Sequence, residues 1–166
     1  TTVEPHDSVQ RYTELGVEVL EGYARIIDPW TVDVQLHSGD SQRLTPRAII
    51  LATGAGPFVP SLPGIEQSGY LTSDTLWEQL RHYDDAPDRL VVLGGGPIGC
   101  ELSQVFARLG SRVTQVEMAD RIMLREDEEV SALARQSLER DGVSVLTGHS
   151  AVRFEQRNGQ KTIIVM

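Results

Sequence analysis

Cysteine is nearly absent from this 166-residue sequence. Cys100 stands alone, which excludes an internal disulfide framework and a cysteine-rich zinc site. Long apolar runs are missing too, since no stretch approaches the roughly 18 residues needed to span a bilayer. The opening residues 1 to 7 carry neither the basic region nor the apolar core of a signal peptide. Basic charge is in the minority: 15 Lys and Arg stand against 24 Asp and Glu, giving a net charge of -9 and a pI near 4.8. A balance of that sign argues against nucleic acid or an anionic membrane surface as the main partner. There is no internal repeat, no low-complexity tract and no initiator Met. That last absence leads us to expect a trimmed chain or an excised piece of a longer one.

What is present is ordinary for a soluble globular protein: 40% hydrophobic and 23% charged residues, in a length that suits one domain or two small or partial ones. A single thiol and no targeting segment make a cytoplasmic setting the default expectation.

Periodicity divides the chain. Asp7 is placed to cap a helix over residues 8 to 15, with Val9, Tyr12 and Leu15 on one face and Gly16 ending it. Val17, Val19, Val32, Val34 and Leu36 then alternate with polar residues as half-buried strands do, punctuated by turns at Asp28-Pro29 and Ser38-Gly39-Asp40. This predicts a small antiparallel meander. The apolar run 48 to 51 predicts a strand buried on both faces, ending at the glycine-rich turn 53 to 56. Pro57, Pro60, Pro63, Gly64 and Gly69 mark a stiff linker and the best domain boundary. We therefore expect a partial domain over 1–57, a linker and entry helix over 58–88, and a second domain over 89–166 that is incomplete at its C-terminus.

In the entry helix, capped by Thr72-Ser73-Asp74, the residues Leu76, Trp77, Leu80 and Tyr83 are expected to share a face. Alternation of strand and helix follows: strand 90–93, helix 97–109 with Ile98, Leu102, Val105, Phe106 and Leu109 inward, strand 112–116, helix 127–140, strand 143–146. This order implies a parallel sheet wrapped by helices. Acid at the start of the helix over 127–140 and base at its end both suit the helix dipole. Asn158-Gly159 predicts a hairpin between strands near 152–155 and 162–166.

The chemistry concentrates in Gly94-Gly95-Gly96-Pro97-Ile98-Gly99, between a strand and a helix. The first glycine permits a tight turn and the second lets backbone approach a pyrophosphate. The third, Gly99, lets helix pack on strand. Pro97 suits a first helical position, where its missing N–H would be unpaired anyway, and helix-start N–H groups favour phosphate. Glu117 closes the next strand, 23 residues beyond Gly94. That is close to the roughly 20 expected for the acid that binds a ribose 2′-hydroxyl. A carboxylate accepts from a diol and repels a 2′-phosphate, so NAD is expected over NADP. The plain alternative is a ligand-free turn and a solvated strand-end acid. Arg121 and Arg125 are read as offsetting the acidic run 126–129 in preference to binding a 2′-phosphate. Glu101, in the first helical turn, reads equally as dipole compensation or as a group near the nicotinamide end. Cys100 reads as a small buried apolar residue.

Two motifs together carry a resemblance. Leu51-Ala52-Thr53-Gly54-Ala55-x-Pro57 resembles the second flavin-domain motif of the flavoprotein disulfide reductases, the family of dihydrolipoyl dehydrogenase, glutathione reductase and mercuric reductase. Gly94 to Glu101 resembles that family's NAD-domain fingerprint. Leu62-Pro63-Gly64-Ile65, Ser73-Asp74 and Val116-Glu117-Met118 add support, and the likeness covers nearly the whole chain. It implies an α/β fold: a Rossmann-like NAD-binding domain, preceded by part of an FAD-binding domain made of the antiparallel meander plus the buried strand. By this resemblance NAD is bound by Gly94, Gly95, Gly96, Pro97, Ile98, Gly99, Glu117 and Met118. FAD is approached by Ala24, Thr53 and Gly54. Glu101 matches a glutamate near flavin and nicotinamide, whose lysine partner is not in this sequence. Pro97 stands where some relatives carry an aromatic gate. Glu117 and Met123 stand where NADP-using relatives carry arginines.

The family's first flavin fingerprint, its paired redox cysteines and its C-terminal dimer domain with a His–Glu pair are not in these 166 residues. His6, His37, His82 and His149 form no such pair. The resemblance thus implies a parent oxidoreductase passing hydride between NADH and FAD to a small-molecule or disulfide acceptor. It implies a homodimer formed through that missing domain, and a piece that is inactive alone. The rivals are a mercuric reductase-like enzyme with another acceptor, a binding or interaction module without catalysis, and a methyltransferase, which the 52–54 segment disfavours.

Overall fold

The computed structural model describes residues 8–166. The chain falls into two compact units, Thr1–Gly54 and Ala55–Met166.

The first unit opens with helix α1 (Val9–Glu14). Its cap is Ser8, whose hydroxyl accepts from the Arg11 N–H at 3.2 Å; Asp7, expected in that role, lies outside the described residues. Strands β1 (Gly22–Asp28), β2 (Thr31–Leu36) and β3 (Ser41–Leu44) form the antiparallel meander in the order β1-β2-β3. Val17 and Val19 precede it in no strand. Ala24 pairs with Val34, and Val34 with Gln42. Val34 is buried at 5% exposure. The turn before β2 is closed by the Asp28 carboxylate, which accepts from the Trp30 N–H at 2.8 Å.

The run 48–51 departs from expectation. It forms no strand, and Ile50 and Leu51 are 90% and 70% exposed. A strand buried on both faces needs a pairing partner and a covering layer on each side. Among the described residues the meander pairs only within itself, so the run 48–51 has no such partner there.

In the second unit, α2 (Ile65–Ser68) and α3 (Leu76–Leu80) precede β4 (Arg89–Leu93), α4 (Pro97–Arg108), β5 (Arg112–Val116), α5 (Glu128–Arg140) and β6 (Ser144–Leu146). The three strands form a parallel sheet in the order β4-β5-β6. Its core joins Leu76, Phe106, Val113, Ile122, Leu138, Val143 and Val145. Strands β7 (Ala151–Arg157) and β8 (Gln160–Val165) make the expected hairpin. Asn158 and Gly159 both adopt positive φ, 52° and 75°, as a primed turn requires.

The 57–69 segment, expected as a stiff linker, is anchored: Ile65 is buried, and the Phe154 N–H donates to the Pro63 carbonyl at 2.8 Å. Two expectations for the entry helix shift. Helix α3 is only five residues long, too short to bury four side chains on one face. Leu76 and Leu80 pack inward while Trp77 and Tyr83 are 59% and 70% exposed. It is preceded by a turn in which the Thr72 hydroxyl accepts from the Thr75 N–H, so Ser73 and Asp74 are not its caps.

On α4, Leu102 and Phe106 pack inward as expected, whereas Ile98, Val105 and Leu109 are exposed and Gly99, Cys100, Ser103 and Ala107 turn in instead. Small residues let the helix settle close on the sheet. That approach, more than apolarity, decides which face turns in.

Candidate functional site

The site is the turn between β4 and α4, facing the end of β5. Leu93 pairs with Val116, and the Gly94 N–H makes the last rung of this ladder, to the Val116 carbonyl at 2.8 Å. Gly94 then turns at φ 108°, a conformation natural only to glycine. Its carbonyl leaves the ladder and accepts from the Gln115 side-chain amide at 3.0 Å. A Cβ on Gly99 would overlap that same carbonyl oxygen, so α4 rests directly on the turn.

Gly95 is held from several sides. Its N–H donates to Glu117 Oε2 at 2.6 Å, and its carbonyl accepts from the Met123 N–H at 2.6 Å. The Cys100 thiol reaches the same carbonyl at 3.5 Å. A Cβ here would meet Ile122 at 2.8 Å. Gly96 differs: it caps α4 with φ -76° and ψ 178°, and a Cβ on it would meet nothing within 4 Å. Nothing inside the fold demands glycine at 96. Pro97 is the first helical residue, and the neighbouring N–H groups of the first turn have no intrahelical acceptor.

Glu117 lies across this turn. Its second oxygen accepts from the Ala119 N–H at 2.7 Å. Two of about four carboxylate lone-pair sites are therefore used by backbone, and the others remain free to accept. The Glu117 backbone is fixed by the segment after β6: its N–H donates to Leu146, and its carbonyl accepts from the His149 N–H at 3.0 Å. Met118 beside it is 77% exposed.

The remaining candidates are placed as follows. Ile98 is 59% exposed at the helix start, and Glu101 is exposed one turn along. Cys100 is half-buried, and burial pushes its thiol above the ordinary range while the Gln115 amide, donating to Sγ at 3.5 Å, pulls the other way. Arg121 makes its hydrogen bonds to backbone. Its guanidinium donates to the carbonyls of Met123, Leu124 and Glu126 at 3.3, 3.0 and 2.9 Å, tying its own loop. Arg125 is exposed.

In the first unit, Ala24 lines an open trough on the meander with Tyr23, Arg25, Asp33 and Arg43. The Arg43 hydrogen bond holds the Asp33 carboxyl below its usual range. Thr53 and Gly54 lie in the exposed run after residue 50, Gly54 at φ 71° with open space around it. Among the described residues, no group of three or more His, Cys, Asp and Glu is placed to hold a metal ion. None of their helices is long and apolar enough to cross a membrane.

Sequence reasoning missed Gln115, Ile122 and Ser131, and it singled out Met123 without foreseeing its N–H bond to the Gly95 carbonyl. Gln115 is a polar residue at an inward position of a buried strand, and that mismatch was the available signal. Ser131, buried at 4% exposure, donates its hydroxyl to the Ile122 carbonyl at 2.7 Å. It thereby ties α5 to the loop that packs on Gly95. No spacing rule announces such a contact.

The chain is similar to several known proteins. The mercuric reductase of Staphylococcus aureus is 36% identical over 151 residues, which cover 91% of this chain and 26% of that protein. The dihydrolipoyl dehydrogenase of Pseudomonas aeruginosa is 41% identical over 135 residues, covering 81% of this chain and 28% of that protein. Among solved structures, an NAD-dependent persulfide reductase from A. fulgidus has a TM-score of 0.68 at 26% identity, covering 96% of this chain and 31% of that one. This chain thus spans only about a quarter to a third of the length of these proteins. The pattern that defines the pyridine nucleotide-disulphide oxidoreductases matches residues 3–166, and the chain belongs to that family.

Proposed function

We propose that this chain is the dinucleotide-holding portion of an FAD-dependent NAD(H) oxidoreductase. The observation that carries the reading is the contact between Glu117 and Gly95 at 2.6 Å. It sets a carboxylate with free lone pairs beside a glycine turn at a helix start, the pairing that a ribose diol next to a pyrophosphate needs. The residues fit such a ligand. The open space over Gly96 lets a phosphate approach the backbone, and the first-turn N–H groups favour its charge.

In this reading the turn Gly94, Gly95, Gly96, Pro97, Ile98 and Gly99 cradles the pyrophosphate of NAD. Glu117 accepts from the ribose hydroxyls and repels a 2′-phosphate, and Met118 flanks the adenosine. Glu101 lies on the nicotinamide side. Ala24, Thr53 and Gly54 belong to the FAD contacts, where the exposed backbone at 53–54 and the trough at Ala24 are available. The nicotinamide and flavin, when bound, supply the two-electron hydride chemistry. The chain's own part is binding, orientation and electrostatics.

The acceptor in this proposal is a small molecule or a disulfide, in line with the names of the mercuric reductases, dihydrolipoyl dehydrogenases and persulfide reductase that the chain resembles. One cysteine cannot supply a thiol pair, so the 166 residues alone are expected to bind without turning over. Dimerisation through segments outside these residues, and a cytoplasmic setting, belong to the same proposal. Calorimetric titration of the chain with NADH, and separately with S-adenosylmethionine, tests the reading. Saturable NADH binding alone supports it. Binding of S-adenosylmethionine alone, or of neither ligand, would overturn it.

A further inference from the structure

Gln115 is an unusual residue for its position. It sits in the middle strand of the parallel sheet, fully buried at 0% exposure, between buried Val113 and Glu117, the residue just past the end of β5. Its side-chain Oε1 is buried with no protein hydrogen-bond partner. An apolar side chain of the same length would leave no such acceptor stranded, so packing alone does not explain an amide here.

Its Nε2 explains it better. Gly94 Cα–C=O and Gly95 N–H belong to one planar peptide unit, in which the carbonyl and the N–H point in opposite directions. The carbonyl end accepts from Gln115 Nε2 at 3.0 Å, and the N–H end donates to Glu117 Oε2 at 2.6 Å. Gln115 and Glu117 are two residues apart on one strand run, hence on the same side of it. They grip one peptide by its two ends. Gly99 packs on the carbonyl end, because a Cβ there would overlap the Gly94 oxygen and would meet Gln115 Nε2 at 3.3 Å.

We infer that Gln115 is a positioning residue: through the Gly94–Gly95 peptide it fixes the carboxylate of Glu117, and so sets how sharply the site separates NADH from NADPH. Without the Gln115 donor, the Gly94 carbonyl is a buried acceptor lacking its partner. The peptide then gains by rotating toward another donor, the Gly95 N–H swings away from Glu117, and the carboxylate loses one of the two bonds that hold it. This inference rests on the NAD reading of the site.

The test compares the wild-type chain with Gln115→Met, which keeps length and removes the donor, and with Gln115→Leu as a second apolar variant in case the first does not fold. Two quantities are read: the amide proton shift of Gly95 without ligand, and the ratio of NADPH to NADH dissociation constants. A charge-assisted N–H bond to a carboxylate places the Gly95 proton far downfield in the wild type. In either variant it should move upfield, and the selectivity ratio should fall about tenfold, the effect of one lost hydrogen bond of ordinary strength. A purely structural role would lower the melting temperature and weaken both dinucleotides in parallel. An unchanged Gly95 shift, or an unchanged ratio, overturns the inference. If the wild type binds neither dinucleotide, the functional reading fails and the selectivity claim falls with it, while the Gly95 shift still decides whether the two side chains are coupled.

Discussion

Glu117 and Gly95 are 22 residues apart in sequence, and the carboxylate of one accepts the backbone N–H of the other at 2.6 Å. The contact ties the end of β5 to the turn before α4, so the proposed ribose acceptor and the proposed phosphate cradle form one rigid unit. Glu117→Gln keeps the side chain's shape but presents an NH2 group to one of the two backbone donors, Gly95 or Ala119. NADH affinity should fall about tenfold with the lost charged hydrogen bond. NADPH should weaken less, because the negative charge opposing its 2′-phosphate is gone. Parallel titrations of the two dinucleotides read the difference.

The glycines of the turn should separate into two kinds. Gly96→Ala adds a methyl group to open space at an ordinary φ, so stability should change by no more than about 1 kcal/mol, the scale of a helix-cap substitution. NADH binding should nonetheless drop sharply, because the methyl group occupies the approach to the backbone. Gly99→Ala pushes on the Gly94 carbonyl and should destabilise by about 1–3 kcal/mol, as overpacking does. Denaturant melts and NADH titrations of both variants distinguish a ligand-facing glycine from a packing one.

Phe106 anchors the layer beneath the site at 2% exposure within the core cluster. Phe106→Ala should cost about 3–5 kcal/mol of stability, combining lost transfer energy with a residual cavity. Urea unfolding followed by circular dichroism checks it.

Cys100 offers a pH prediction. Burial raises its thiol above the ordinary range, so the folded state holds the proton more tightly than the unfolded chain. The resulting stability is fully present below the unfolded thiol's range and is lost as pH rises through the raised value. Alkylation should be correspondingly slow at pH 8 and should accelerate steeply in more alkaline buffer, since the thiolate is the nucleophile. Rates from pH 7 upward, compared with those of the urea-unfolded chain, measure the shift.

How much of this was legible in the sequence differs by element. The βαβ unit was readable because its signals are local: an apolar run, a glycine turn and an amphipathic helix follow in order, and β5 begins and ends at the residues expected. The hairpin at Asn158-Gly159 was readable for the same reason. The strand expected over 48–51 was not, because a doubly buried strand depends on partners that a local pattern cannot guarantee. On α4 apolarity points Ile98, Val105 and Leu109 inward, yet all three are exposed. Close contact at Gly99 rotates the small residues inward instead. Charge pattern places Arg121 beside the acidic run but cannot show that its guanidinium also bonds the carbonyls of its own loop. At the site, Glu117 and the glycines announced themselves by spacing, whereas Gln115 and Ser131 act through single side-chain contacts that only the folded chain displays.

The most direct test of the central claim is a fluorescence titration of NADH against the wild-type chain and Glu117→Ala, with melting temperatures recorded for both. The account predicts saturable binding to the wild type and an affinity at least about tenfold weaker in the variant, since a charged hydrogen-bond acceptor is removed. Equal affinity for the two folded proteins would contradict it and would remove Glu117 from the site.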